Sequence, residues 1–434
     1  MLGVTLQLRH APLQVLLDAA HHGGDIVYLG RCPRPLYLIN HPRYIQHILH
    51  EQPQHYVKRP SINRITPLFG TGLTTSDGAL WQRQRRLLQP LGQSQQLAAL
   101  VPVMRAATTA MLERWHRVAT RGQPLALVAE MATLTQTMMF HMLFGSCAPG
   151  ERATVSAALQ VALAYLNRRI WARVALPVSL PTPQHWAWRQ ARHTLHTFLH
   201  QQILARRRSG QDQTDLLGLL MALRHDETGE AMSEAQLRDE LLTLWVAGHT
   251  TTAAALAWTW VLVAQHPAIE RRLCEEVRQA PGEGLPSAHP LRLLPYTRLV
   301  HAEVLRLYPP TWVTARTPVV ADTLGGVPIP AGAVLLLCPY TMHRHPAFWE
   351  VPESCDPERF VPARATGRPR YAYFPFGGGP RRCLGQGLAL LAMQVVTSLV
   401  ARTYRLRLVS GQHVRPEAAL TLQPPRGLLF HVEP

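Results

Sequence analysis

The run Phe374-Pro375-Phe376-Gly377-Gly378-Gly379-Pro380-Arg381-Arg382-Cys383-Leu384-Gly385 gathers four glycines, two arginines and one cysteine ahead of the apolar segment 386–400. Glycines lack Cβ, take positive φ and let backbone N–H groups approach a sulfur, and the apolar segment predicts a helix whose N-terminus lies beside Cys383. Both effects favour thiolate over thiol. A soft anionic sulfur so placed is the axial ligand that pushes electron density through haem iron and promotes O–O cleavage, and Cys383 is read as that metal ligand. A lone cysteine is more often an inert buried thiol, so the assignment depends on its company.

Three further constellations supply that company. Glu303-Val304-Leu305-Arg306 sets an acid and a base at i, i+3 on one helix face, which alone is an everyday ion pair. Ala247-Gly248-His249-Thr250-Thr251-Thr252 interrupts an apolar helix with small residues and hydroxyls. Thr251 stands at i+4 from Ala247, where its hydroxyl competes for a backbone carbonyl and opens a kink that admits water. Trp81-x-x-x-Arg85 sends an indole and a guanidinium to one face of a helix beginning near Gly78.

In this order the motifs make the chain resemble the cytochrome P-450 haem-thiolate monooxygenases, in their soluble bacterial form, from Asp25 onward. Phe376-x-x-Gly379-x-Arg381-x-Cys383-x-Gly385 fits the family's haem-ligand signature at every defining position. The resemblance implies haem b (iron protoporphyrin IX) on the Cys383 thiolate, with Phe376, Gly379 and Gly385 shaping the loop. It implies that Glu303 and Arg306 are buried and joined by Arg359 of Pro357-Glu358-Arg359-Phe360, locking the scaffold of the cysteine loop. Trp81, Arg85, Arg316 and Arg381 stand where the family holds the haem propionates, and Leu244, Ala247, Thr311, Val313, Thr314 and Leu420 where it places substrate, as do the 61–76 loop and the 165–190 region more loosely. Ala247 and Gly248 are small enough for a flat macrocycle to lie against the helix, and Thr251 matches the hydroxyl that steers protons to bound O2. Two positions depart from the pattern. Thr250 replaces the usual acid and can relay a proton without supplying one near neutral pH, which implies a water-fed proton route. Ala392 replaces another acid, with a local surface effect expected.

The elements needed to position these residues are legible in outline. An amphipathic opening helix over 1–22 precedes strands at 25–30 and 35–40 and a helix from His41-Pro42 to about 51. Residues 61–78, with Gly70, Gly72 and Gly78, read as a long irregular loop. Segments 95–121, 125–144, 151–172 and 184–208 carry helical periodicity, with 177–183 as a connection. Residues 241–265 contain no Asp, Glu, Lys or Arg, yet the polar block at 248–252 sets aside a membrane span. Residues 233–265 therefore read as a core helix, started by a Ser233/Gln236 capping box and stopped at His266-Pro267, about 50 Å long. Helices follow at 267–279 and 291–307, then strands and turns over 316–340 about Gly325-Gly326. A proline-rich meander covers 345–375, and a helix at 386–403 precedes a strand-rich tail. The fold class is mainly α with a small β region (about 23–60, 314–342 and the tail), read as one domain over 1–434 with the haem between the long helix and the cysteine loop.

Composition narrows the partners. The 434 residues are 47% hydrophobic and 16% charged, which suits a globular chain. Six scattered cysteines form no CxxC pair, against a zinc site or redox dithiol and in keeping with a reducing cytoplasm. No signal peptide or transmembrane anchor is read in the first residues. The formal charge of +17 is carried by arginines apart from Lys58, dispersed and without aromatic interleaving, so no nucleic-acid partner is expected. A basic surface suits an acidic ferredoxin or flavodoxin with its reductase, carrying electrons from NAD(P)H, since no fused flavin or iron–sulfur motif is present. The expected reaction inserts one atom of O2, the co-substrate, into a C–H or C=C bond of a small lipophilic molecule of terpenoid, fatty acyl or polyketide type. The alternatives are a peroxide-driven or isomerising haem-thiolate enzyme, a non-catalytic haem-binding protein, or an arginine-rich nucleic-acid binder.

Overall fold

Prolines open most of the helices, where a missing N–H costs nothing and φ is already helical. Helices Pro12–His22, Pro42–Gln46, Pro267–Gln279 and Pro295–Leu307 all begin this way. The computed structural model describes residues 7–8, 10–31, 33–58, 65–145, 149–171, 177–209, 215–225, 229–280 and 294–434. Residues 1–6, 9, 59–64, 172–176 and 291–293 of the segments named above lie outside the described residues, as do Cys32 and Cys147. The chain folds as two compact units, one made of Met1–Lys58, Ser94–Thr135 and Thr250–Pro434, the other of Arg59–Gln93 and Gln136–His249.

The first unit holds the β region. Its five-stranded sheet runs Ile26–Arg31, Pro35–Ile39, Val334–Leu337, Thr314–Pro318, Tyr56–Val57, with only the second and third strands parallel. Val334–Leu337 supplies Leu335 and Leu337 to a core that also holds Ile39, Ile45, Ile48, Leu49, Met342, Tyr371 and Phe374. Gly325 and Gly326, at φ +54° and +81°, turn the hairpin Asp322–Leu324/Val327–Ile329, as a two-residue turn with both φ positive requires. Helix Gln386–Thr403 packs against Val101–Thr120, Pro267–Gln279 and Pro295–Leu307, which explains its buried run from Leu391 to Ser398. Ala392 lies in that run at 5% exposure. The expectation of a surface effect at this position is therefore corrected: an acid here would stand among packed helices and need a buried partner.

The second unit is helical. Pro149–Trp171 packs along Pro183–Ser209, with Tyr165 stacked on Trp188 at 4.7 Å between centroids. Phe140, Phe144, Phe198 and Trp245 meet edge to face. Helix Glu234–Gln265 is continuous, contributes to both units, and starts with Ser233 Oγ accepting the Gln236 N–H at 3.2 Å. Among the described residues no helix is long and apolar enough to cross a membrane.

Three local expectations change. The 61–78 loop contains a helical turn, Thr66–Phe69. The helix expected over 95–121 is two, Ser94–Ala99 and Val101–Thr120, parted where Pro102 starts the second. Leu125–Ala126 is a strand paired with Leu429–Phe430, and the following helix starts at Leu127.

Candidate active site

Cys383 closes a loop whose shape depends on glycine. Gly377 and Gly379 take φ +69° and +62°, and a Cβ on Gly379 would collide with the Leu49 carbonyl. The Phe374 carbonyl accepts the Gly377 N–H at 2.9 Å and the Phe376 carbonyl accepts the Cys383 N–H at 3.0 Å. Two residues on, Gly385 begins helix Gln386–Thr403 with no side-chain cap, leaving the positive end of the helix dipole near the sulfur. Cys383 is exposed. Residues 384–390, mostly apolar, are only partly covered, whereas Leu391 to Ser398 are buried. A partly covered, mostly apolar first helical turn beside an exposed cysteine, with open space where a Cβ would stand on Gly377 and Gly385, fits a flat apolar group held through the sulfur.

The scaffold behind this loop is a buried ionic knot. Arg306 donates from Nε and Nη2 to the two Glu303 oxygens at 2.7 and 2.8 Å. Its other N–H groups reach the carbonyls of His343 (2.9 Å), Pro352 (2.6 Å) and Ser354 (3.0 Å). Arg359 Nε donates to Glu303 Oε1 at 3.2 Å and Nη1 to the Glu350 carbonyl at 2.8 Å, while the Asp356 N–H also reaches Glu303 Oε1. Glu303 and Arg306 are fully buried and Arg359 is 3% exposed. One bidentate guanidinium, a single N–H from a second and a backbone amide thus saturate one carboxylate, the condition under which a buried charge is tolerated. The knot reaches the cysteine loop through residues that no sequence motif marked. Tyr373 Oη donates to the Ala302 carbonyl at 3.0 Å, Trp349 Nε1 to the Ala372 carbonyl at 3.2 Å, and the His343 ring accepts the Phe374 N–H at 3.0 Å.

Several candidates from distant parts of the sequence meet in the first unit. Trp312 Nε1 donates to the Ala419 carbonyl at 3.0 Å and the Leu422 N–H to the Pro310 carbonyl at 2.9 Å. These bonds bring the tail at Leu420 beside Thr311 and Val313. Trp258, stacked on Tyr308 at 3.6 Å, donates to the Leu422 carbonyl at 3.1 Å and ties the second half of the long helix to the same turn. Thr314 and Arg316 share a strand face, and Arg316 Nη1 donates to Thr314 Oγ1 at 3.1 Å and to the Ala315 carbonyl at 2.8 Å. Arg316 is buried, whereas Arg381 is half-buried in the cysteine loop.

Along helix Glu234–Gln265 the otherwise buried run opens at Leu244, Ala247, Gly248 and Thr251, with Thr250 also half-buried. The i, i+3, i+4, i+7 spacing makes this one face. Gly248 has a use the sequence did not show: a Cβ there would meet the Met139 sulfur, so its small size serves helix packing. His249 points elsewhere, its Nδ1 donating to the Trp245 carbonyl at 2.8 Å, and burial lowers its pKa. Trp81 and Arg85, both half-buried, lie one turn apart on helix Gly78–Leu88 in the second unit. The same unit holds two unmarked acids, Asp239 and Glu240, which accept the N–H groups of Thr71 (2.8 Å) and Leu73 (3.0 Å).

Comparison with known proteins identifies the scaffold. Residues 1–431 match the family model for cytochrome P450. The chain is 33% identical to cyclooctatin synthase of Streptomyces melanosporofaciens over 97% of its own length and 91% of that protein's. It is also 33% identical to cyclooctat-9-en-7-ol 5-monooxygenase of the same organism over 95% and 88% of the two chains. Pentalenene oxygenase of Streptomyces avermitilis is 29% identical over 99% and 94%. The crystal structure of the cytochrome P450DA heme domain has the same fold, with a TM-score of 0.89 over 98% of this chain and 93% of that one at 24% identity. A mainly helical chain with a glycine-shaped cysteine loop and these relatives belongs to the cytochrome P450 family and is a cytochrome P450 monooxygenase.

Proposed function

We propose that this enzyme oxygenates a cyclic terpenoid hydrocarbon or alcohol at a C–H or C=C bond, with Cys383 as the axial thiolate of its haem. The observation that carries the ligand assignment is an exposed Cys383 beside a partly covered, mostly apolar first helical turn, in a loop only glycines can form. The substrate class rests on the relatives, two of which are named for acting on pentalenene and on cyclooctat-9-en-7-ol. It also suits Leu244, Ala247, Thr311, Val313, Thr314 and Leu420, which offer shape and no charge.

When bound, the haem supplies activation of O2 and transfer of one oxygen atom, the other leaving as water with two electrons and two protons. The chain's own residues hold and feed that chemistry. Glu303, Arg306 and Arg359 fix the cysteine loop; Arg85, Arg316, Arg381 and the Trp81 indole are the cationic and N–H partners for the cofactor carboxylates. Thr251, with Thr250, passes protons from water toward the reacting oxygen, because neither hydroxyl is an acid near neutral pH. The electrons come from NAD(P)H through a reductase and an acidic ferredoxin or flavodoxin.

Carbon monoxide bound to the reduced holoenzyme tests the ligand: a thiolate-type Soret band is expected for the wild type and its loss for Cys383→Ser. A band that survives in the variant rejects Cys383. Spin-state titration with cyclic terpene alkenes and with fatty acids tests the substrate class, and a response to fatty acids alone rejects the terpenoid reading.

A further inference from the structure

The His343 imidazole is fully buried at the end of the short helix Pro339–Met342, between the ionic knot and the cysteine loop. Nδ1 faces the Arg306 carbonyl at 3.2 Å, and Nε2 faces the Phe374 N–H at 3.0 Å. A carbonyl only accepts and an amide N–H only donates, so both contacts require the same neutral tautomer, protonated at Nδ1 and bare at Nε2. The backbone carbonyl of His343 accepts Arg306 Nη1, so this residue and Arg306 are joined twice. On the other side the chain of bonds continues from Phe374 through its carbonyl to Gly377. The ring lies against Trp349, Tyr373 and Phe374. The charged groups acting on it are Arg306 and Arg344, and burial followed by these cations pushes its pKa down to about 3.

From this geometry we infer that His343 is a positioning residue for Cys383: its Nε2 acceptor fixes the start of the cysteine loop against the Glu303/Arg306/Arg359 knot and so sets where the thiolate stands. A hydrophobic residue of equal size would fill the space and leave the Phe374 N–H buried without this acceptor. The inference rests on the proposed ligand role of Cys383.

Two amide variants separate the acceptor from the ring's bulk. Glutamine at this position reaches Phe374 with a carbonyl oxygen, whereas asparagine is too short and keeps only the contact toward Arg306. His343→Asn and His343→Gln are purified as holoenzymes, and the carbon monoxide complexes of the reduced proteins are compared for the ratio of thiolate-type to neutral-thiol-type Soret bands. Hydrogen exchange at the Phe374 amide is followed in parallel. We expect the ratio in His343→Asn to fall about fivefold or more, the factor one lost buried hydrogen bond corresponds to, with faster exchange at Phe374, and His343→Gln to stay near wild type. If both variants keep the wild-type ratio, or both lose it equally, the acceptor role is overturned. A wild type without any thiolate-type band would instead reject the ligand assignment of Cys383 and leave the exchange result at Phe374 to decide the hydrogen bond.

Discussion

At the scale of single residues, the two faces of the proposed site differ in how their chemistry is supplied. The cysteine side is built from groups with fixed partners, whereas the oxygen side rests on two adjacent hydroxyls, Thr251 and Thr250, the latter standing where an acid is usual in the family. With only hydroxyl relays present, removal of Thr251 leaves Thr250 and water to carry the protons. Thr251→Ala is expected to lower product formed per NAD(P)H consumed roughly tenfold or more, with peroxide rising in proportion, since positioned proton transfer contributes factors of this order and above. Equal coupling in wild type and variant would remove Thr251 from proton delivery. The Glu303/Arg306 pair and the glycine-shaped loop around Cys383 were legible because residue types and spacing there form patterns. His343 was not, because its partners are backbone groups of Arg306 and Phe374, and a backbone contact leaves no trace in residue type. Gly248 was legible as small, but the neighbour that requires it to be small, Met139, lies over a hundred residues away in sequence.

At the scale of elements, helix boundaries followed from proline, glycine and periodicity, while the pairings between short segments did not. Leu125–Ala126 has too few residues to show strand alternation and takes its conformation from Leu429–Phe430 at the far end of the chain. The glycines of the 65–78 segment looked like loop formers; the structure shows that Gly70 and Gly72 are small because Asp239 and Thr243 of the long helix lie against them. This clasp has a pH signature. Burial pushes the Glu240 carboxyl up to about 7, opposed by the Leu73 N–H and reinforced by the charge on Asp239. Its folded pKa thus exceeds the ordinary 4.5, so the contribution to stability is complete below about pH 4.5 and is lost as pH rises through about 7. The difference amounts to about 3 kcal/mol across that window. Glu240→Gln keeps a neutral side chain at every pH, and unfolding curves of wild type minus variant are expected to slope downward between pH 4.5 and 8. A flat difference would show that the carboxyl stays ionised in the fold.

For the molecule as a whole, the formal charge of +17 has few local explanations. Ion pairing barely touches that excess: Arg206 on Asp215 and Arg407 on Glu270 each cancel to zero, whereas Glu303, which holds both Arg306 and Arg359, keeps one surplus cation buried. The 27 acidic residues cannot neutralise 44 basic ones even if every carboxylate were paired, so the excess must shape the field that an approaching protein meets. Such a field acts mainly on encounter, and salt weakens it over a Debye length of about 8 Å at physiological ionic strength. If the electron donor is an acidic ferredoxin or flavodoxin, kcat/KM for the donor is expected to fall about tenfold or more between low salt and 0.5 M, while the substrate-induced spin-state change stays constant because a lipophilic substrate carries no charge to screen. An invariant kcat/KM would show that docking depends on contacts other than charge. A parallel loss of the spin-state response would place the salt effect on the enzyme itself, and the donor's charge would then play no part in the result.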